Sequence, residues 1–259
     1  ANMERLIQII KKNRIILVED ACESIGAKYK KKFLGTFGDF STFSFYFSHQ
    51  ISSVEGGMIC CKNREDEDII KSLRSHGWAR DLSNQKKIEN KFKNINKRFL
   101  FVNTGFNLRP TDIQAAIGLS QFNSLNNFIR VKKINRSKII KGLKSDKRWK
   151  NQVIFINKSN NCEPSWLGMP MLLNEKYKNK NKQIFNKLDK LGIENRPIIS
   201  GNFLKQPALR KYNLKQKSSD FPNANFIHEH GVFVGLSNRV LSQKEITKFV
   251  NIFFKAFKI

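Results

Sequence analysis

Two short stretches hold the side chains best suited to chemistry. "VEDACES" puts Asp20 and Glu23 at and just past the end of an apolar run, and "FYFSHQISSVEGG" puts His49 at the end of an aromatic one. An imidazole, with an ordinary pKa of about 6.5, suits a general base. Ser44 and Asn107, the latter in "GFN", can each donate to phosphate oxygens. Arg109, in "NLR", can grip a carboxylate or phosphate through two parallel N–H bonds, and His76 lies in "SHGW". Each residue also has a plainer reading: Asp20 as a helix cap, Ser44 as a strand residue, Asn107 as a turn former, His49 and His76 as structural histidines, Arg109 as a surface cation.

The elements that must position these groups follow from apolar spacing. Met3, Leu6, Ile7 and Ile10 recur at helical intervals behind Asn2, which is placed to cap. "RIILVED" reads as a strand buried in a mostly parallel sheet, its acids emerging at the carboxyl end, where ligands bind in open α/β sheets. "GTFGDFSTFSFYF" and "GGMICCK" read as two more strands, and "EDEDIIKSLRSHGWARD" as a helix with an exit loop. The polar "SNQKKIENKFKNINKRF" reads as a surface excursion. A Thr111-x-x-Gln114 capping box opens a long helix whose apolar residues run through Leu119, Phe122, Leu125 and Ile129. From about residue 150 the pattern changes to strand "SWLGMPMLL", helix "NKQIFNKLDKLG", strands "NRPIIS" and "GVFVGL", and a last helix behind Ser242-x-x-Glu245. The expected division is therefore 1–149, the larger part with the long helix, and 150–259, a small α+β domain.

The 259 residues are enough for a substantial core. No run approaches the roughly 18 apolar residues of a membrane span, and "ANMERLIQIIKK" lacks a signal peptide's apolar core, so a cytoplasmic protein is expected. Cys22, Cys60, Cys61 and Cys162 have neither metal-ligand nor disulfide-scaffold spacing, so no metal site is expected. The net charge of +27 invites nucleic-acid binding, but the lysines are scattered and no DNA- or RNA-binding motif accompanies them. Attraction of an anionic substrate is the milder use of that charge.

"VEDACES", "GTFGDFSTFSFYFSH", "EGGMI" and "TGFNLRPTDIQAAIG", in this order, resemble the sugar aminotransferase family of fold-type-I pyridoxal phosphate (PLP) proteins, along the whole chain. The resemblance implies an α/β fold: part of a fold-type-I PLP-dependent transferase-like large domain with a mostly parallel sheet, plus a small α+β C-terminal domain. It implies that Asp20 pairs with the pyridine nitrogen, keeping the ring an electron sink, and that Glu23 contacts the ring hydroxyl. Ser44 would bind the cofactor phosphate, which Asn107 would reach from a neighbouring subunit, so a homodimer with shared active sites is expected. His76 and Arg109 match positions on the substrate side. Family chains begin with a further phosphate-binding section, so this sequence is expected to be a fragment.

His49 occupies the family's Schiff-base lysine position, and an imidazole can form no Schiff base. That replacement resembles the nucleotide-sugar 3-dehydratase branch, where pyridoxamine phosphate (PMP) is the working form and a histidine base assists loss of the C3 hydroxyl from a nucleotide-linked 4-keto-6-deoxy sugar. "SFYFSH", "EGGM", "RSHGWARDL" and Glu23 resemble the type acting on GDP-4-keto-6-deoxymannose, which takes its amino group from glutamate. "EPSWLGMP", "SGNFLKQP" and "VFVG" resemble more the reductase-coupled CDP-sugar type, whose cluster-binding cysteine loop corresponds to the cysteine-free "LSNQKKIENKFKN". The expected function is thus a PLP/PMP-dependent 3-dehydratase of dideoxysugar and surface-polysaccharide synthesis. The alternatives are the reductase-coupled enzyme and a non-catalytic, aminotransferase-like binding protein.

Overall fold

The computed structural model describes residues 2–212 and 214–258. In chain order its elements are α1 (Met3–Asn13), β1 (Val18–Asp20), β2 (Lys28–Tyr29), β3 (Lys32–Phe33), β4 (Phe40–Ser44), β5 (Gly57–Cys61), α2 (Arg64–Arg74), α3 (Gln85–Lys91) and α4 (Asp112–Phe122). There follow α5 (Leu125–Ser145), β6 (Val153–Phe155), β7 (Cys162–Glu163), β8 (Gly168–Leu173), α6 (Asn181–Lys190), β9 (Asn195–Arg196), α7 (Pro222–His230), β10 (Gly231–Gly235) and α8 (Gln243–Ala256). The residues separate into two compact units, Ala1–Leu125 with Asn161–Glu163, and Asn126–Asn160 with Pro164–Ile259. Nearly all of α5 therefore belongs to the second unit.

In the first unit, Asn2 caps α1 by accepting from Arg5 N, and Thr111 and Gln114 close their capping box at the start of α4. The main sheet runs β1-β4-β5, and a small antiparallel sheet runs β3-β2-β7. β1 pairs in parallel with β4, matching Asp20 to Thr42, but β4 and β5 are antiparallel, with Ser44 opposite Gly57. The sheet expected to be mostly parallel is thus half antiparallel. Its cause is local: the segment joining β4 to β5 contains no crossover helix to carry the chain back to a parallel start.

The expected buried strand "RIILVED" is shorter and more open, with only Val18–Asp20 paired to β4 and Ile15, Ile16 and Val18 exposed. An apolar run of this kind becomes buried only when both faces of its sheet are covered. The long helix is also interrupted, α4 ending at Phe122 and α5 starting at Leu125, with Asn123 and Ser124 between. Asn and Ser compete for backbone hydrogen bonds and so favour helix ends over interiors.

The second unit holds the main core. Its antiparallel sheet runs β6-β8-β10-β9. Alternation along β8 buries Met169, Met171 and Leu173, and these pack with Ile139 and Leu143 of α5, Ile184 and Leu188 of α6, and Ile246, Val250 and Phe253 of α8. Full burial of such side chains contributes about 1.5–3 kcal/mol each. Ser242 and Glu245 form the capping box expected at the start of α8. Among the described residues no helix is long and apolar enough to cross a membrane.

Candidate active site

β1 ends in two acids that alternation sends to opposite sides. Asp20 Oδ1 accepts from Cys22 N at 3.2 Å and from Thr42 Oγ1 at 3.4 Å. The side chain of Cys22, then its N–H, then Thr42 hold the Asp20 carboxyl below the usual range. Burial, followed by the bond to Asp20, pushes the Cys22 thiol up. Glu19 faces away and accepts from three main-chain N–H groups, those of Gly35 at 2.8 Å and of Phe37 and Gly38 at 2.6 Å each. Sequence reasoning gave Glu19 no role, although the paired acids closing an apolar run were the available signal.

β4 stops at Ser44, five positions short of His49, so the histidine does not tip a strand as its aromatic run suggested. The chain turns instead. Tyr46 N donates to Ser44 Oγ at 3.2 Å, His49 N to Tyr46 O at 3.0 Å, and Ser53 N to Phe45 O at 2.9 Å. These bonds compete with any continued ladder to β5.

The turn brings His49 against the loop after β1. His49 Nε2 lies 3.8 Å from Glu23 Oε1, and the imidazole side chain is only 13% exposed. Tyr46 meets its ring edge-on, with centroids 5.6 Å apart. Nδ1 is buried with no hydrogen-bond partner among the described residues. Gln50, buried beside it, donates from Nε2 to the Glu23 carbonyl oxygen at 2.6 Å. Ser44 Oγ, having accepted from Tyr46, keeps its own proton to donate.

His76, Asn107 and Arg109 form a second group. Gly77 has φ +87°, and a Cβ there would collide with the Asn103 carbonyl; one on Gly105 would collide with Gly77 N. This close backbone approach lets His76 N donate to Phe106 O at 2.8 Å and pairs Ser75 with Asn107. Asn107 Oδ1 accepts from Arg109 Nε at 3.4 Å, leaving the amide protons of Asn107 available. The Arg109 and Arg80 guanidinium groups lie 5.4 and 4.4 Å from the Trp78 ring centroid, and His76 meets the ring edge-on at 5.3 Å. The hydrogen bonds of the Asp20, Ser44 and His49 side chains do not reach this group. In the second unit, Arg196 stacks on Phe233 at 4.3 Å. The four cysteines are free, and among the described residues no group of three or more His, Cys, Asp or Glu is placed to hold a metal ion.

The chain belongs to the DegT/DnrJ/EryC1/StrS aminotransferase family, which it matches over residues 1–253. Its fold is that of the fold-type-I PLP aminotransferases. It is 34% identical over 239 residues to GDP-4-keto-6-deoxy-D-mannose 3-dehydratase of Escherichia coli O55:H7, covering 90% of this chain and 59% of that protein. The enzyme of the same description from Yersinia pseudotuberculosis is 33% identical, over 98% of this chain and 63% of the relative. A solved structure of the E. coli enzyme with bound hydrated PLP superimposes with a TM-score of 0.84 at 32% identity, over 98% of this chain and 64% of that one. The chain thus spans about three fifths of the length of these relatives.

Proposed function

We propose that this protein is a PLP/PMP-dependent dehydratase that removes the C3 hydroxyl of a nucleotide-linked 4-keto-6-deoxy sugar, GDP-4-keto-6-deoxymannose being the first candidate and glutamate the amino donor. The observation that carries the reading is His49, an imidazole at the family's lysine position, held beside Glu23 with its Nδ1 free. The two dehydratase relatives, from E. coli and Yersinia, support the choice of reaction. Dideoxysugar synthesis in the cytoplasm is part of the same proposal.

The residues present fit the cofactor. Asp20 offers a carboxylate, held further below its ordinary range by Cys22 and Thr42, the partner a protonated pyridine nitrogen requires. Ser44 offers a hydroxyl proton, and Asn107 of a second subunit an amide, to a phosphate. When bound, PMP would supply an electron sink beside the sugar. Asp20 would hold the proton on the ring nitrogen and Glu23 would meet the ring hydroxyl. His49 would take and return a proton on a ring nitrogen, with the neighbouring Glu23 carboxylate stabilising the imidazolium. With no lysine amine at this position, the cofactor would be held by these noncovalent contacts. His76 and Arg109, grouped around Trp78, would face the sugar nucleotide.

Apolar exposure around Asn107 supports the homodimer. Phe106 and Leu108 flank it, and Ile113, Leu119 and Phe122 of α4 follow; Ile113 is 75% and Leu119 67% exposed. We assign this surface to a second copy, which would deliver Asn107 to the partner's phosphate site.

The test is to incubate the protein with PLP, glutamate and GDP-4-keto-6-deoxymannose. The expected products are the 3-deoxy sugar nucleotide, ammonia and, from the glutamate, 2-oxoglutarate, with His49→Asn slowed by about 10²–10⁴-fold. Absence of turnover with every 4-keto nucleotide sugar, or a His49→Asn variant as fast as the parent, would refute the assignment.

A further inference from the structure

The geometry points to Gln50 as the positioning residue for His49: its buried amide ties the histidine turn to the loop that carries Glu23. The inference rests on the proposed role of His49 as a base.

His49 lies outside the ladder that orders β4 and β5, so the strand pairing does not by itself fix its ring. The turn has its own bonds, among them His49 N to Tyr46 O and Ser53 Oγ to Glu55 O at 2.9 Å, but these hold the turn to itself. Across the gap, the Asp20–Glu23 loop has separate anchors, Ala21 N donating to Thr42 O and Ser24 N to Ala21 O, both at 3.0 Å. Glu23 and His49 face each other at 3.8 Å, beyond a direct hydrogen bond, and the Glu23 side chain is half exposed. That pair is too loose to set a proton-transfer geometry. The 2.6 Å bond from Gln50 Nε2 to the Glu23 carbonyl is short, and the Gln50 residue is only 3% exposed. It is directional and shielded from competing water, and it acts on the residue next to His49. Gln50 thereby sets how far the imidazole stands from Glu23 and from the site Asp20 defines. A displacement of about 1 Å at a reacting group costs on the order of 10²-fold in rate, which is the scale of control available to this bond.

Two variants of the holoenzyme test the assignment. Gln50→Met keeps length and volume but has no N–H donor, and Gln50→His restores a donor. If Gln50 positions His49, Gln50→Met lowers kcat by about 10–100-fold with KM for the sugar nucleotide nearly unchanged, and Gln50→His recovers most of the loss. The second readout needs no turnover: the 13Cε1 resonance of His49 in the resting protein, single in the parent, shifts or doubles in Gln50→Met and returns in Gln50→His. An unchanged kcat and an unchanged His49 resonance in Gln50→Met would overturn the inference, as would a loss of kcat that Gln50→His fails to restore while both variants stay folded. If the parent itself shows no dehydratase turnover, the proposed reaction fails, and the resonance alone still decides whether Gln50 orders His49.

Discussion

Replacing Glu19 tests how the strand end holds the loop that leads into the site. Its carboxylate accepts three main-chain N–H groups, Oε1 from Phe37 and Gly38 and Oε2 from Gly35. Gly38 is buried, whereas Gly35 and Phe37 are half-buried. Glu19→Ala strands one buried donor, at about 1–3 kcal/mol, and two that water partly rescues, at about 0.5 kcal/mol each, for a loss near 2–4 kcal/mol. Glu19→Gln keeps one carbonyl oxygen. Turned toward Phe37 and Gly38 it preserves two bonds and opposes only Gly35 with an amide N–H, for a loss of about 1–2 kcal/mol. Urea unfolding followed by tryptophan fluorescence and far-UV circular dichroism gives the order parent, Gln, Ala. Trp78 lies in the first unit and so reports on the unfolding of that unit. Equal losses for the two variants, or an alanine variant within 0.5 kcal/mol of the parent, would refute the view that three separate acceptor contacts share the load.

Acid should destabilise the protein. Asp20, Asp39, Asp68, Glu67, Glu89 and Glu229 all have carboxyls held below their ordinary values, and Asp146 and Glu245 are lowered to about 2, chiefly by Arg148 and Arg239. Carboxyls depressed in the folded state stabilise it above their unfolded pKa values and lose that contribution as pH falls through the folded ones. The urea midpoint should therefore hold near pH 6 and fall from about pH 4.5 toward 2; a rise on acidification would contradict these contacts. The proposed dimer predicts that Leu119→Glu, on the exposed face of α4, shifts the protein from dimer toward monomer in sedimentation velocity and lowers PLP affinity. A variant that remains dimeric with unchanged affinity would move the interface elsewhere.

Where a signal was local, the sequence was a good guide. Thr111 with Gln114 and Ser242 with Glu245 close both reciprocal hydrogen bonds of their capping boxes, and Asn2 caps α1, because these contacts depend only on residues a few positions apart. The strand at "SWLGMPMLL" was legible for the same reason, β8 forming over its Gly168–Leu173 part. Strand ends were not. Aromatic residues from Phe45 to Phe47 have strand propensity, but hydrogen bonds accepted by Ser44 Oγ and Tyr46 O turn the chain before His49, and propensity carries no record of such competition. The two-residue strands β2, β3 and β7 are shorter than any period that spacing can reveal. Within the site, the Glu23–His49 pair lies at a sequence separation no spacing rule spans, and resemblance to a family identified both residues. Gln50 escaped notice because its partner is a main-chain group, which leaves no mark in the sequence, and the paired acids of β1 marked Glu19 without showing the main-chain groups that it would hold.

β1 is three residues long, and its last two are both acids. Sliding it one position along β4 would leave an acid opposite Thr42 and would cost few ladder bonds, so β pairing alone discriminates poorly between the two alignments. Two anchors break the tie: Leu17, whose N–H donates to Asp39 Oδ2 and whose carbonyl accepts from Asp39 N and Phe40 N, and the three N–H groups that grip Glu19. In the shifted alignment a carboxylate would still stand near Thr42, but Glu19 would have left Gly35, Phe37 and Gly38 without acceptors. Glu19, with Leu17, therefore works as a register lock for Asp20, and a one-residue deletion among residues 14–16 should be tolerated only where the connecting segment stretches to keep both in place.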